Sequence, residues 1–271
     1  MRLENKVAVI TGAGAGLGRE AALLFAREGA GIVATDIEGD RAEETAQRIR
    51  EAGGAAIAQK TDVTNEAEVH GAIESAVDEF GKLDVMYNNA GIPVPGFGTV
   101  PFWELSEADL RKVIDVNLLG VMFGCKHAVA PMRANGGGSI VVTSSAGGLA
   151  AYPGFSAYCA AKGGVNQLVH ALAVDLGQFN IRVNAICPTH GMSANFAMAP
   201  GDPVLSKSYE EMAGEWDANA TPIPLKKDRP PSLLDNAYGA LFFASDDSAY
   251  MSGVVMPTCD GGTLSRVALM F

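Results

Sequence analysis

Short runs of apolar, β-branched residues alternate with longer helix-like stretches along most of this chain. The runs predict buried strands at Val7–Thr11, Gly31–Asp36, Ala55–Thr61, Leu83–Asn88, Ile140–Ser144 and Ile181–Ile186. The intervening stretches predict helices at Arg19–Glu28, Arg41–Ala52, Glu66–Phe80 and Ala157–Leu176. Strands that alternate with helices of this length indicate right-handed βαβ crossovers, with helices on both faces of a parallel sheet. We therefore predict a single α/β domain over residues 1–271, built on a doubly wound parallel sheet.

The charge balance argues against two classes of partner. The chain carries 20 Lys and Arg against 31 Asp and Glu, for a net charge of −11. Nucleic acid and anionic lipid both attract clustered basic residues, which this sequence lacks, so we expect neither a nucleic-acid nor a membrane partner. The first apolar run, Val7–Ile10, is too short for a signal peptide or a membrane span. We therefore expect a cytoplasmic protein.

The cysteines show no pairing pattern. Cys125, Cys159, Cys187 and Cys259 stand far apart, and no C-x-x-C occurs. Zinc sites and thioredoxin-like redox sites both need closely spaced cysteines. We interpret the four as small apolar side chains in a reducing compartment, and we predict no metal site.

One long segment, residues 192–231, interrupts the alternation. It contains six prolines together with Phe196, Met198 and Trp216. Irregular loops of this length inside a compact domain are usually either functional or disordered. The aromatic and Met side chains argue against disorder because they offer apolar area to bury. We predict that this segment is a lid over a substrate.

A glycine-rich loop joins the first predicted strand to a predicted helix. Residues 11–18 read T-G-A-G-A-G-L-G. Glycines allow a tight turn and a close approach of the backbone to a pyrophosphate, while the helix N-terminus offers free N–H groups. The strict G-x-G-x-x-G spacing fails in both registers, and T-G-x-x-x-G-x-G fits. We predict a dinucleotide site of Rossmann type whose contacts are Gly12, Gly14, Gly16, Leu17 and Gly18.

Asp36 ends the second predicted strand, eighteen positions after Gly18. An acidic residue at about this distance can accept hydrogen bonds from the adenosine ribose hydroxyls, and its charge repels a 2′-phosphate. A site for NADP needs a nearby base, and neither Ala15 in the loop nor Ile37 after the aspartate supplies one. The sequence therefore favours NAD over NADP.

Tyr158 and Lys162 are four residues apart and would share one face of a helix. A phenol has an ordinary pKa near ~10, and a nearby ammonium lowers it, which suits the phenol for proton transfer to an alcohol or ketone. Ser145 follows a predicted strand, where its hydroxyl can face the cofactor crevice. Ser144 is the competing serine.

Taken together, these motifs resemble the short-chain dehydrogenase/reductase family. The matching residues are Thr11–Gly18 (T-G-x-x-x-G-x-G), Asn88–Gly91 (N-N-A-G), Asn117 within D-V-N-L, Ser145, Tyr158–Lys162 (Y-x-x-x-K) and Asp260–Gly262 (D-G-G). They occur in the family's order and at its spacing over nearly the whole chain. The resemblance implies a single-domain Rossmann fold and hydride transfer between nicotinamide C4 and a carbonyl or secondary alcohol.

The resemblance also implies a role for each matching catalytic residue. Tyr158 is the expected acid/base, and Ser145 is expected to polarise the substrate oxygen. Lys162 is expected to lower the pKa of Tyr158 and to hold the nicotinamide ribose. Asn117 is expected to anchor a water that links Lys162 to solvent.

Further cofactor contacts are implied by position. Asp62 and Val63 are expected at the adenine, Asn89 beside the adenosine ribose, and Gly191 and Ser193 at the carboxamide. The family usually has P-G-x-V/I-x-T after the sixth strand, whereas residues 188–193 read P-T-H-G-M-S. Thr189 in place of glycine puts the local conformation in question. We interpret His190 as structural or site-lining and not as catalytic.

The sequence thus favours an NAD-dependent dehydrogenase for a small apolar secondary alcohol or ketone, with cyclic substrates included. A carbonyl or ketoacyl reductase is the alternative within enzymes, although reductive roles usually favour NADP. A catalytically silent NAD-binding sensor would be expected to lose Tyr158 or Lys162, and a nucleotide-sugar epimerase to carry a longer C-terminal domain. Helices over Val113–Met132 and Ala157–Leu176 are apolar on more than one face, which predicts a homo-oligomer, a tetramer or a dimer.

Overall fold

The computed structural model describes residues 1–191, 209–221 and 223–265. Within these ranges one sheet contains seven strands. They are β1 (Val7–Thr11), β2 (Gly31–Asp36), β3 (Ala56–Lys60), β4 (Val85–Asn88), β5 (Gly138–Thr143), β6 (Ile181–Pro188) and β7 (Val255–Thr258). The helices are α1 (Gly16–Arg27), α2 (Gly39–Glu51), α3 (Glu66–Phe80), α4 (Glu107–Ile114), α5 (Gly120–Ala134), α6 (Ser156–Leu176), α7 (Tyr209–Gly214) and α8 (Leu233–Ala244).

The sheet is parallel throughout, in the order β3-β2-β1-β4-β5-β6-β7. The chain winds outward from β1 to β3, returns to β4 beside β1, and then winds outward to β7. The connection that follows β1 runs to one side of the sheet and the connection that follows β4 runs to the other. This reversal of direction between neighbouring strands opens a crevice at their carboxyl ends. The predicted doubly wound fold is confirmed.

Side chains of the central strands feed two separate cores. On β1, Ala8 and Ile10 pack with α1 and α8, whereas Val7 and Val9 face the side covered by α3, α5 and α6. Successive residues of a strand point to opposite faces. A strand buried on both faces therefore has a continuous apolar sequence, which explains why the predicted strands are uninterrupted apolar runs.

Local signals set several helix boundaries near the site. Ser106 and Asp109 form a reciprocal capping box at the start of α4, and Ser232 and Asp235 form another at the start of α8. Helix α3 ends at Gly81, whose φ of 81° lies in the left-handed region that favours glycine. These caps fix where α4 and α8 begin and where α3 ends.

Helices α7 and α8 were not predicted, and neither were an edge strand and a π-helical turn. Strand β7 is a short edge strand whose Pro257 breaks the expected strand pattern. Helices α4 and α5 are joined by a π-helical turn, Asp115–Leu119, so that residues Glu107–Ala134 form one continuous helical stretch. By length and hydropathy this stretch could span a membrane, but Ala128 and Met132 in it are fully buried in the core.

Candidate active site

The glycine-rich loop turns from β1 into α1 as the sequence predicts. Gly12 and Gly16 have φ values of 65° and 53°, which side chains rarely tolerate. A Cβ on Gly18 would lie 2.1 Å from the Gly12 carbonyl oxygen, so a larger residue there cannot fit. Helix α1 has no side-chain cap and no acidic residue in its first turn. Its N–H groups and positive dipole end therefore remain available to a phosphate.

A groove of about 300 Å³ runs along the carboxyl ends of the strands. That volume is at the lower end of the ~300–1,000 Å³ typical of ligand sites. It joins the glycine loop to the catalytic candidates, and its lining includes Gly12, Gly16, Leu17, Asp36, Asn89, Tyr158 and Lys162. The two other predicted loop contacts, Gly14 and Gly18, are not among the residues that line it.

Asp36 lies at one end of the groove, as predicted, but a base lies beside it. Its carboxylate accepts the backbone N–H groups of Gly14 and Glu38, each at 3.0 Å. Arg41 also lines the groove, which corrects the expectation that no base is nearby. Its Nε is 2.6 Å from the Glu38 carboxylate, so Arg41 is already ion-paired. The Asp36 carboxylate therefore shares this end of the groove with a guanidinium that is ion-paired to Glu38.

Asn89 ties the glycine loop to the neighbouring strands. Its Nδ2 donates to the Thr11 carbonyl at 3.1 Å, and its Oδ1 is 3.0 Å from the Thr143 hydroxyl. The Thr11 hydroxyl accepts the backbone N–H groups of Asn89 and Ala90, both at 3.0 Å. These bonds lock the ends of β1, β4 and β5 together and fix the wall of the groove.

Tyr158 and Lys162 lie on the first turns of α6 and face the same groove. The Lys162 ammonium donates to the Thr143 carbonyl at 2.8 Å and lies 5.7 Å from the centre of the Tyr158 ring. Ser145 lies close enough to Tyr158 to lower the pKa of its phenol, and the Ser145 hydroxyl accepts the Gly147 N–H at 3.0 Å. The structure thus brings together the tyrosine, serine and lysine that the sequence singled out.

The geometry also separates the two serines. The Ser144 hydroxyl is buried and donates to Asn166 Oδ1 at 2.6 Å. Ser145 instead contacts Tyr158. Of the pair, Ser145 is the one placed to contact a substrate.

Burial perturbs both ionisable groups of the site. It lowers the pKa of Lys162 from 10.5 to about 8, because desolvation disfavours the ammonium. It raises the pKa of Tyr158 above its ordinary value, with the Ser145 hydrogen bond acting in the opposite direction. Lys162 is not among the causes of the Tyr158 shift, so its expected effect on the pKa of Tyr158 stays a prediction.

Asn117 lies in the π-helical turn and is completely buried. Its Nδ2 donates to the carbonyls of Ile92 and Val113, both at 3.0 Å, and its Oδ1 accepts the Ile92 N–H at 3.2 Å. Both amide N–H groups are therefore used within the protein. A water bound by this residue has to donate to the remaining lone pair of Oδ1 or to the backbone carbonyl.

Other predicted contacts lie outside the lining of the groove. The Asp62 carboxylate accepts the N–H and hydroxyl of Thr64, and Val63 packs against Gly120. Gly191 has a φ of 63°, and a Cβ there would lie 2.5 Å from the Ser232 carbonyl oxygen. Glycine is therefore required at this position by the fold of the loop itself. Ser193 falls outside the described residues.

Thr189 and His190 precede that glycine. The Thr189 hydroxyl is the one buried side-chain polar atom without a hydrogen-bond partner in the part of the chain that the structure describes. Burial lowers the pKa of His190, and the Asp260 carboxylate acts in the opposite direction. The described residues contain no cluster of three or more metal-binding side chains.

The predicted lid is described only from residue 209 onward, so Phe196 and Met198 lie outside the described residues. Helix α7 is followed by Trp216, whose indole donates to the Lys227 carbonyl at 3.1 Å. Trp216 lines a second cavity of about 140 Å³ together with Ile223, Leu225 and Cys259. The described part of the predicted lid segment thus lines a cavity that mixes these groups with charged side chains, among them Lys227 and Arg229.

Two site residues escaped the sequence reasoning. Arg41 is five positions after Asp36 on the first turns of α2, and its helical periodicity could have placed it near the strand end. Asn166 is four positions after Lys162, so the i to i+4 spacing puts it on the face that carries Tyr158 and Lys162. Neither residue belongs to a recognisable motif, and the motifs were the signals that identified the other site residues.

A family model described as short chain dehydrogenase matches residues 6–198 of this chain. The chain belongs to the short-chain dehydrogenase family. The match spans the glycine loop, the N-N-A-G segment, Asn117, Ser145 and the Tyr158–Lys162 pair. The family shown by sequence and the geometry of the groove thus agree.

Individual relatives of this short-chain dehydrogenase act on ring-bearing compounds, as their names state. It is 34% identical over 263 residues to the 7alpha-hydroxysteroid dehydrogenase of Escherichia coli, covering 97% of this chain and 96% of that protein. It is 37% identical over 261 residues to the 2,5-dichloro-2,5-cyclohexadiene-1,4-diol dehydrogenase of Sphingobium indicum, covering 96% and 97%. A solved 7 alpha-hydroxysteroid dehydrogenase, complexed with NADH and 7-oxo glycochenodeoxycholic acid, superimposes with a TM-score of 0.81 at 32% identity, covering 96% of this chain and 95% of that one.

Proposed function

We propose that this short-chain dehydrogenase is an NAD-dependent enzyme that interconverts an apolar secondary alcohol, with cyclic alcohols included, and its ketone. The observation that carries the proposal is the placement of Tyr158 beside both Ser145 and Lys162, at the end of a groove that begins at a glycine loop. A phenol and a hydroxyl that converge on one point can hold a carbonyl oxygen and exchange a proton with it.

The groove fits a nicotinamide dinucleotide. Its glycine loop and the uncapped start of α1 suit the pyrophosphate, and Asp36 suits the adenosine ribose. The Lys162 ammonium has three N–H donors. One of them binds the Thr143 carbonyl, so two remain for the hydroxyls of the nicotinamide ribose. When bound, the nicotinamide supplies or accepts the hydride.

The charges at the adenosine end support NAD over NADP. A 2′-phosphate would approach both Asp36 and Glu38, and like charges at close range repel. Arg41 is the base available to a phosphate there, but Glu38 already holds it at 2.6 Å. The proposed preference for NAD therefore rests on two carboxylates, one of which also occupies the competing base.

Three side chains divide the proton chemistry. The Ser145 hydroxyl donates to the substrate oxygen and fixes its direction. Tyr158 removes the proton from the alcohol in oxidation and returns one to the ketone oxygen in reduction. Lys162, charged below a pH of about 8, stabilises negative charge as it develops on Tyr158. Asn117 fixes the backbone near Lys162, because its side-chain amide hydrogen-bonds both the N–H and the carbonyl of Ile92.

Apolar groups beside Tyr158 support an apolar substrate. Phe155 packs edge-on against Tyr158 with ring centres 6.4 Å apart, and Phe97 packs edge-on against Phe155 at 5.4 Å. The relatives' names are consistent with this, since both relatives cited act on hydroxyl groups carried by ring systems. Partly exposed Leu119 and Met122, on the helical stretch that includes α5, further support a homo-oligomer.

The experiment is a panel of secondary alcohols, steroidal and monocyclic, offered with NAD while the absorbance of the reduced nicotinamide is followed. The proposal expects turnover with at least one apolar member and much weaker turnover with NADP. Tight NADH binding without turnover of any panel member, in either direction, would instead indicate the silent sensor.

A further inference from the structure

Asn166 lies one turn after Lys162 on α6, and the proposed mechanism leaves it unused. It is buried, with 7% of its surface exposed. Its Oδ1 accepts the Ser144 hydroxyl at 2.6 Å, and its Nδ2 donates to the Gly148 carbonyl at 2.9 Å. Asn166 therefore binds both ends of the five-residue turn Ser144–Gly148, in which Ser145 caps the short 3-10 helix Ala146–Gly148.

This turn has little freedom to place itself. A Cβ on Gly148 would lie 2.7 Å from both Asn166 Nδ2 and the Lys162 carbonyl oxygen, so the turn packs directly on the backbone of α6. The Ser144 hydroxyl is also 3.3 Å from the Lys162 carbonyl oxygen. Within the turn, the Ser145 hydroxyl accepts the Gly147 N–H at 3.0 Å. The direction of the Ser145 hydroxyl thus follows from where the turn sits on α6.

We propose that Asn166 is a positioning residue that sets the Ser145 hydroxyl against Tyr158. The inference rests on the proposed dehydrogenase function, since it concerns the geometry of that reaction. Tyr158 and Asn166 are on the same helix, so two buried hydrogen bonds to the turn fix the distance between the two groups that hold the substrate oxygen. A displacement of about 1 Å between reacting groups can reduce a rate by about a hundredfold.

The first test compares Asn166→Ala with a matched control. Asn184 is a fully buried asparagine on β6 whose amide donates to the Met251 carbonyl at 2.7 Å and accepts the Val254 N–H at 3.0 Å. Both variants lose two buried hydrogen bonds to oxygen or nitrogen, and Asn166→Ala also loses a weak one from the Cys187 thiol at 3.9 Å, so both are expected to lose stability to a similar degree. Asn166→Ala is expected to lower kcat by at least about tenfold with NADH affinity unchanged, while Asn184→Ala keeps its kcat. Equal kcat values for wild type and Asn166→Ala, or equal losses in both variants, would overturn the proposal.

The second test asks whether Asn166 acts through Ser145. Ser145→Ala removes the group that Asn166 positions, so adding Asn166→Ala to it is expected to cause no further loss in the residual rate, followed over hours with excess enzyme. Multiplicative losses would show that Asn166 acts elsewhere. Ser144→Ala, which removes only one of the two bonds, serves in the same cycle if Asn166→Ala does not fold. Wild-type enzyme that binds NADH but turns over no alcohol would refute the proposed function itself, a result distinct from either outcome for Asn166.

Discussion

Removing the buried charge of Lys162 is expected to stabilise the protein while destroying the site. In the folded chain the pKa of Lys162 falls from 10.5 to about 8. Each pKa unit is worth about 1.4 kcal/mol, so burying the ammonium costs the fold about 3 kcal/mol below pH 8. Lys162→Met removes this cost. It also leaves the Thr143 carbonyl without its 2.8 Å donor, a loss of about 1 kcal/mol. The expected net gain near pH 7 is about 2 kcal/mol.

The dependence on pH is the sharper expectation. Between pH 8 and pH 10.5 the unfolded chain keeps the proton on Lys162 that the folded chain has lost, so wild-type stability rises with pH through this window. Lys162→Met has no such rise. The stability advantage of the variant is therefore expected to shrink by about 2 kcal/mol between pH 8 and pH 10.

Urea unfolding of the NAD-free protein, at one protein concentration and at both pH values, measures this difference. Lys126→Met is the control, because Lys126 is 66% exposed and pairs with Glu66 at the surface. Its stability relative to wild type is expected to stay constant between the two pH values. A Lys162→Met advantage that is equal at pH 8 and pH 10, or that grows with pH, would refute the reasoning.

Three further expectations follow from single contacts. Asp36→Ala is expected to narrow the ratio of NADH to NADPH affinity, measured by nucleotide fluorescence, because it removes one of the two carboxylates facing a 2′-phosphate; an unchanged ratio contradicts this. Gly18→Ala, whose Cβ would meet the Gly12 carbonyl oxygen at 2.1 Å, is expected to weaken NADH binding at least about tenfold by displacing the phosphate loop. The control Gly163→Ala, with nothing within 4 Å of its Cβ, should keep NADH affinity and gain up to about 1 kcal/mol of stability. Trp216 fluorescence, read in a chain without Trp103, is expected to shift when NAD and alcohol bind together, because the predicted lid closes over the substrate; a constant signal would contradict the lid.

The features of the site that could be predicted from the sequence depend on the conformation of a single local segment of the chain. The turn after β1 needs residues without side chains, so glycines at its close contacts are visible in the sequence. Tyr158 and Lys162 share a helix, so their spacing alone places them together. Ser145 could be placed at the carboxyl end of a strand, but choosing it over Ser144 depended on the family pattern, and the structure shows that the Ser144 hydroxyl points into Asn166.

The parts that could not be predicted depend on packing between elements. Arg41 reaches the groove because α2 packs close enough for its Cβ to fall 2.8 Å from a Cβ built on Gly14. Burial of the phenol raises the pKa of Tyr158. A sequence shows the neighbouring lysine but not this burial. At Gly191 the sequence departs from the family's cofactor-binding motif. The structure requires glycine there because its φ is positive and because a Cβ would collide with the Ser232 carbonyl oxygen.

The most direct test of the proposed function is a comparison of wild type with Tyr158→Phe, using NAD and the best apolar secondary alcohol of the panel. Formation of reduced nicotinamide is followed in a single turnover, and NADH affinity is measured in parallel. Because the phenol oxygen is the only atom removed, hydride transfer is expected to be abolished while NADH affinity stays nearly unchanged. Hydride transfer by Tyr158→Phe at close to the wild-type rate would contradict the assignment of Tyr158 as the acid/base.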